Sequence, residues 1–118
     1  MYFEVNDNEP IYVQIIKHIK VSIVTKVLEP GDEIPSRREL AEVLKVNPNT
    51  VQRAYKDMEG LGLIETIRNF PSKITINEEV LTSLKKELLL DAVGSFTKSM
   101  KELKLSKEEV IALISESY

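Results

Sequence analysis

The sequence predicts a mainly α-helical chain with one small β-hairpin, and three observations predict it. Apolar residues recur at three-and-four spacing over residues 10–27 and again over 81–103, the period of a single helix face. Two helix-start signals, at Ser36 and Asn47, stand close together with only a short polar turn between the segments they open. Between residues 63 and 76, two short β-branched segments flank a turn.

The first helix is expected over residues 10–27, with Tyr12, Ile15, Ile16, Ile19, Ile23 and Val27 on its apolar face and Pro30-Gly31-Asp32 as its stop. Ser36 lies three residues before Glu39, so hydroxyl and carboxylate can satisfy each other's unpaired backbone N–H groups in a capping box, and helix two runs from Arg37 to Leu44. Asn47 caps helix three. Pro48 takes its first position, where a missing N–H costs nothing, and the helix extends to about Gly60. Leu63–Ile67 and Lys73–Ile76 form the hairpin, with Arg68-Asn69-Phe70-Pro71-Ser72 at its tip. Such a hairpin is marginal alone and must lean on the helices. Asn77 caps a fourth helix of about 25 residues, roughly 37 Å long at 1.5 Å per residue. Ser106 and Glu109 form a second capping box, opening a fifth helix with Val110, Ile111, Leu113 and Ile114.

Composition removes most catalytic chemistry. The 118 residues amount to about one small domain, and they include no cysteine and a single histidine, His18. Disulfides, thiolate nucleophiles and thiolate or histidine-rich metal sites are therefore excluded, and no metal or cofactor is expected. No nucleophile–base–metal set is visible, so an enzyme is not expected. His18 sits near Gln14 and Ser22 at helical spacing and reads as a boundary residue. The pairs Glu78-Glu79 and Glu108-Glu109 occupy first helical turns, where the helix dipole already accounts for them. With no charged-then-apolar leader and no long apolar run, the expectation is a cytoplasmic protein with no membrane partner.

Net charge is −3, yet Ser36 to Lys56 holds five basic residues, Arg37, Arg38, Lys45, Arg53 and Lys56, against Glu39 and Glu42. This local excess coincides with two short helices joined by a tight turn, a helix-turn-helix. Ala41 is small where the helices would cross, Val46 fills the turn, and Val51, Ala54, Tyr55 and Met58 share one side of helix three. At about 100° per residue, Asn49, Gln52, Arg53 and Lys56 fall on the opposite side, with Asn47 and Thr50 near the N-terminus. A polar helix face by itself is more often merely solvated. Two caps, the tight turn, the small crossing residue and a following hairpin that can act as a wing together favour double-stranded DNA as the partner.

The same residues resemble a family. Pro10-Ile11-Tyr12-Val13-Gln14-Ile15, Leu28-Glu29-Pro30-Gly31-Asp32, Ile34-Pro35-Ser36-Arg37-Arg38-Glu39-Leu40-Ala41 and Val46-Asn47-Pro48-Asn49-Thr50-Val51-Gln52-Arg53-Ala54-Tyr55 are similar to the N-terminal winged helix-turn-helix of GntR-type bacterial transcription regulators, and Gly62-Leu63-Ile64-Glu65 continues the match. The short helical tail is similar to the YtrA subfamily, for which the resemblance implies a dimerising helical hairpin. It also implies a repressor acting near transporter genes. Carried over, Arg38 becomes the helix-two DNA contact, with Ser36 available to phosphate; Arg37, next to them in the basic window, is also expected to bind DNA. Asn47, Asn49, Thr50, Gln52 and Arg53 become the recognition set, and Arg68 and Lys73 wing contacts with phosphate; Lys56, from its place on the outer face of helix three, is expected to hold phosphate as well. The chain departs from the family at three places: Pro48 where arginine is common, Lys45 where the turn usually has glycine, and a wing tip with no glycine. A left-handed Lys45 would carry strain on the order of 1 kcal/mol. Phe70, at the tip, reads as a wedge, a packing residue or an exposed tip, with packing as the default.

The expected organisation is a winged helix-turn-helix domain over residues 1–76 and a helical dimerisation region over 77–118. Leu81, Leu84, Leu88, Ala92, Phe96 and Met100 of the fourth helix, with Ile111 and Ile114 of the fifth, are the expected dimer residues. The helix outreaches a 75-residue domain whose radius of gyration is about 11 Å, so cover within one chain cannot bury the whole stripe. A two-fold homodimer would present two recognition helices to a palindromic operator. Two rivals remain: a protein-interaction adaptor on the same fold with weakened DNA binding, and a sensor of an unidentified small-molecule effector lodged near Phe96 and Met100.

Overall fold

A computed structural model describes residues 1–118. Its elements are α1 (Ile11–Val24), α2 (Arg37–Leu44), α3 (Pro48–Gly60), β1 (Ile64–Glu65), β2 (Lys73–Ile74), α4 (Glu78–Glu102) and α5 (Lys107–Ser117). The chain divides into two units, Met1–Lys85 and Lys86–Tyr118, with the boundary inside α4. No helix is long and apolar enough to cross a membrane.

In the first unit, α3 packs against α1, α2 and β1. The core is built from Ile15 and Ile19 of α1, Leu40 of α2, and Val51, Ala54, Tyr55 and Met58 of α3, all fully buried, with Ile34, Leu63, Ile64, Ile74 and Leu84 around them. Each large aliphatic or Met side chain of this set contributes about 1.5–3 kcal/mol by leaving water. Tyr55 is the largest buried side chain, and its hydroxyl donates to the Pro35 carbonyl at 2.5 Å, tying α3 to the residues that lead into α2.

Helix α1 ends three residues before its apolar period runs out. Lys26 turns left-handed at φ 63°, the Thr25 hydroxyl donates to the Val21 carbonyl, and the Leu28 N–H returns to the Ser22 carbonyl at 2.9 Å. Val27, on the buried face by spacing, is consequently 74% exposed. At the other end, the buried Gln14 amide bonds both the N–H and the carbonyl of Asn6 and the carbonyl of Glu9, holding the N-terminal segment against the helix.

The helix-turn-helix is capped as its sequence predicts. Ser36 and Glu39 form a reciprocal capping box, and Asn47 accepts from the Asn49 N–H at 2.8 Å with Pro48 in the first helical position. Between them Lys45 stands left-handed at φ 57°, and the Val46 N–H closes the turn on the Ala41 carbonyl. Ala41 is buried at the crossing.

The hairpin is shorter than expected from Leu63–Ile67 and Lys73–Ile76. Only two residues of each strand pair, in register Ile64 with Ile74 and Glu65 with Lys73. Ile67 and Ile76 lack a packed face and stay exposed. Across the tip, a hydrogen bond between the Thr66 and Ser72 hydroxyls at 2.6 Å stands where a ladder bond would be. A third segment, read from sequence only as a turn, completes the sheet: Glu33 bridges Lys73, while the Ile74 N–H bonds the Asp32 carbonyl and the Ile34 N–H bonds the Ser72 carbonyl. The hairpin leans on this strap as well as on α3.

Asn77 caps α4 by accepting from the Glu79 and Val80 N–H groups, and Lys104, left-handed at φ 60°, ends it. Ser106 and Glu109 form the second capping box, opening α5.

Two stability measurements follow from these contacts. Lys45→Gly removes left-handed strain and should raise the thermal midpoint by about 2–5 °C, whereas Lys45→Val should lower it; a lower midpoint for the glycine variant would show the turn is unstrained. Tyr55→Phe deletes the buried bond to Pro35 and should cost about 1–2 kcal/mol in urea unfolding, with no change in m.

Candidate nucleic-acid interface

Helix α3 separates its two faces completely. Val51, Ala54, Tyr55 and Met58 are fully buried, so Asn49, Gln52, Arg53 and Lys56, half a turn away, are all exposed. Thr50 is half-buried between the faces. Asn47 spends its side-chain oxygen on the cap and keeps its amide N–H groups free of it. Ser36 likewise accepts from the Glu39 N–H at 3.1 Å, which leaves its hydroxyl proton for an outside acceptor such as a phosphate oxygen.

The two adjacent arginines of α2 part company. Arg38 is exposed and unpaired within the chain. Arg37 is half-buried, ion-paired with Glu59 of α3, and its guanidinium lies 4.9 Å from the centre of the Tyr55 ring. Glu59 also accepts from the Thr66 hydroxyl at 3.2 Å. One carboxylate thus links α2, α3 and the start of the wing, and Arg37 is held inside this network. Burial pushes the Tyr55 hydroxyl well above its ordinary value, which keeps it a neutral donor to Pro35.

Arg53 has a different neighbour. Its guanidinium lies 3.8 Å from the centre of the Tyr12 ring of α1 and meets no carboxylate within the chain. The sequence places Tyr12 on the apolar face of α1 and within the family motif, but singles out neither it nor Glu59 as a neighbour of the polar set on α3. Their signal is spatial, because both act across elements far apart in sequence.

On the wing, Arg68 and Lys73 are exposed. Asn69, left-handed at φ 69°, performs the reversal that glycine would otherwise make. Phe70 does not pack as expected: it is 67% exposed, because the short hairpin offers it no apolar surface to cover. His18 is half-buried and its ring stacks on Phe3 at 4.6 Å; burial first, and the N-terminal charge second, hold its pKa below the ordinary value.

Of the expected dimer residues, Leu84 is buried in the first unit, while Leu81 is half-buried. In the second unit, Leu88 and Met100 are half-buried, and Ala92, Phe96, Ile111 and Ile114 are exposed. Leu89, Leu90 and Val93, which the sequence reading did not single out, are exposed too. At about 100° per residue Leu89, Val93, Phe96 and Met100 share one line of α4 within this unit, turned away from Leu88. Within this unit, a cleft of about 320 Å³ is lined by Phe96, Met100, Leu105, Val110 and Ile111, with Lys101 and Lys107 at its edge.

This geometry can be set beside known proteins. The profile of the family described as bacterial regulatory proteins, gntR family, matches residues 11–74, from the start of α1 to the end of β2. The chain is 46% identical over 104 residues to the HTH-type transcriptional regulator YhcF of Bacillus subtilis, covering 88% of this chain and 86% of that one. It is 42% identical to the HTH-type transcriptional repressor YtrA of the same organism, covering 70% of this chain and 71% of that one. A solved GntR family transcriptional regulator from Listeria monocytogenes superposes with a TM-score of 0.90 at 35% identity, covering 97% of this chain and all of that one. These relatives are transcription regulators, not enzymes. With a buried α3 face, a polar outer face and a wing in one frame, the chain belongs to the GntR family and is a DNA-binding transcription regulator of the YtrA-like kind.

Proposed function

We propose that the protein is a cytoplasmic homodimeric repressor that binds a palindromic operator, in the neighbourhood of transporter genes. The observation that carries the DNA-binding part is the complete separation of faces on α3, with Asn49, Gln52, Arg53 and Lys56 exposed opposite four fully buried side chains. In this reading residues 1–76 form the DNA-binding domain. Ser36, Arg38, Lys56 and, on the wing, Arg68 and Lys73 hold phosphates and fix register, while Asn49, Gln52 and Arg53 read base edges, with Asn47 and Thr50 at the helix start. Arg37 supports the interface from inside through Glu59 and Tyr55.

Residues 77–118 dimerise in this reading. The surface is carried by Leu89, Val93, Phe96 and Met100 of α4 with Ile111 and Ile114 of α5, apolar residues of which all but the half-buried Met100 are exposed. Similarity to the transcriptional repressor YtrA of Bacillus subtilis supports repression. The cleft beside Phe96 and Met100 is where a small-molecule effector would bind.

Fluorescence anisotropy with the duplex upstream of the protein's own gene and a scrambled duplex, each at two salt concentrations, tests the DNA reading. Preference for the native duplex that persists at the higher salt is expected; equal binding would overturn it. Arg53→Ala should cost about 1–3 kcal/mol per half-site on the operator and relax sequence preference, while Lys56→Ala should weaken both duplexes alike and reduce the salt slope by about 1 per half-site. Equal losses on both sequences from both variants would contradict that division. Val93→Glu should convert the dimer to monomer in sedimentation equilibrium and abolish tight binding to the full palindrome; a dimer that persists would place the interface elsewhere.

A further inference from the structure

We infer that Tyr12 is a positioning residue for sequence readout: its ring sets the plane of the Arg53 guanidinium before DNA arrives. The inference rests on the base-reading role proposed above for Arg53. The chain contains two arginines whose guanidinium groups lie over tyrosine rings, and their surroundings differ. Arg37, over Tyr55, also has the Glu59 carboxylate, which takes one terminal nitrogen of its guanidinium in an ion pair. Arg53, over Tyr12, has a ring on one face and no acceptor within the chain, so stacking orients it without consuming its N–H donors. A guanidinium held flat on an aromatic ring keeps its edge, where all five donors lie, free for a planar acceptor pair. The guanine O6 and N7 atoms are such a pair.

The support is also rigid. Tyr12 is half-buried in the first turn of α1, and the following two turns carry Ile15 and Ile19, both fully buried. Gln14, two residues on, is buried and triply hydrogen-bonded to the N-terminal segment. Helix α1 packs directly on α3. A long side chain that would otherwise sample many rotamers is therefore confined before binding, and less freedom is lost when the base contact forms.

The test uses the full-length protein, a duplex that the wild type selects from a randomised pool, and a scrambled duplex of equal length. Tyr12→Phe keeps the ring and should leave the preference within about 2-fold, while Tyr12→Leu should reduce it about 5- to 30-fold with scrambled-duplex affinity unchanged. In an Arg53→Ala background, Tyr12→Leu should have no further effect on preference. Equal loss on both duplexes, or a loss that persists in the Arg53→Ala background, would assign Tyr12 to the fold instead and overturn the inference. Full preference in Tyr12→Leu alongside a reduced one in Arg53→Ala would overturn it too. Full preference in Arg53→Ala itself would remove the base-reading role of Arg53, a separate failure that the single variant identifies.

Discussion

Everything else in the winged unit depends on the burial of one face of α3. Val51, Ala54, Tyr55 and Met58 are removed entirely from water, and three elements, α1, α2 and β1, close on them. A helix turns about 100° per residue, so once those four positions are fixed inward the rotation of α3 is fixed as well. Asn49, Gln52, Arg53 and Lys56 have no other place to go than outside. The polar outer face of α3 is thus a by-product of core packing, and its orientation is as rigid as the core is dense.

Polar contacts then join the elements that the core only brings near. Tyr55 reaches from the centre of the core to the Pro35 carbonyl, and the Arg37–Glu59 pair carries the linkage from α2 across α3 to Thr66 at the root of the wing. An exposed ion pair is worth little by itself. Here it is partly sheltered, stacked on Tyr55 and shared with a hydroxyl, so its value is geometric: α2, α3 and the hairpin keep one mutual register. Lys45 and Asn69 show the same economy with backbone. Both adopt left-handed conformations at turns where glycine would be easier, one between α2 and α3 and the other at the wing tip.

Local elements were legible because their signals are local. The capping boxes at Ser36–Glu39 and Ser106–Glu109, and the Asn47-Pro48 start, involve groups within four residues of each other, so sequence spacing suffices to read them. The end of α1 was not legible, because the apolar period continues to Val27 while a left-handed Lys26 and the Leu28–Ser22 bond stop the helix at Val24. Strand lengths in the wing were overestimated for a related reason: β-branched residues announce strand propensity, but only those with a packed face pair. The bridge from Glu33 to Lys73 joins segments far apart in sequence and leaves no periodic trace.

Periodicity and capping are properties of neighbouring residues, so the presence and order of the helices, the caps at Ser36, Asn47 and Ser106, the helix-turn-helix and the polar set on α3 follow from the sequence alone. Tertiary structure alone decided which charged groups are free. Arg37 and Arg38 are adjacent and chemically identical, yet one is paired with Glu59 and the other faces solvent. Arg53 reads as one more exposed cation until α1 brings Tyr12 beneath it. Likewise, Leu84 and Leu89 are both apolar residues of one helix, but only Leu84 is covered. The difference lies in what each side chain meets across elements, and that is settled when the core forms.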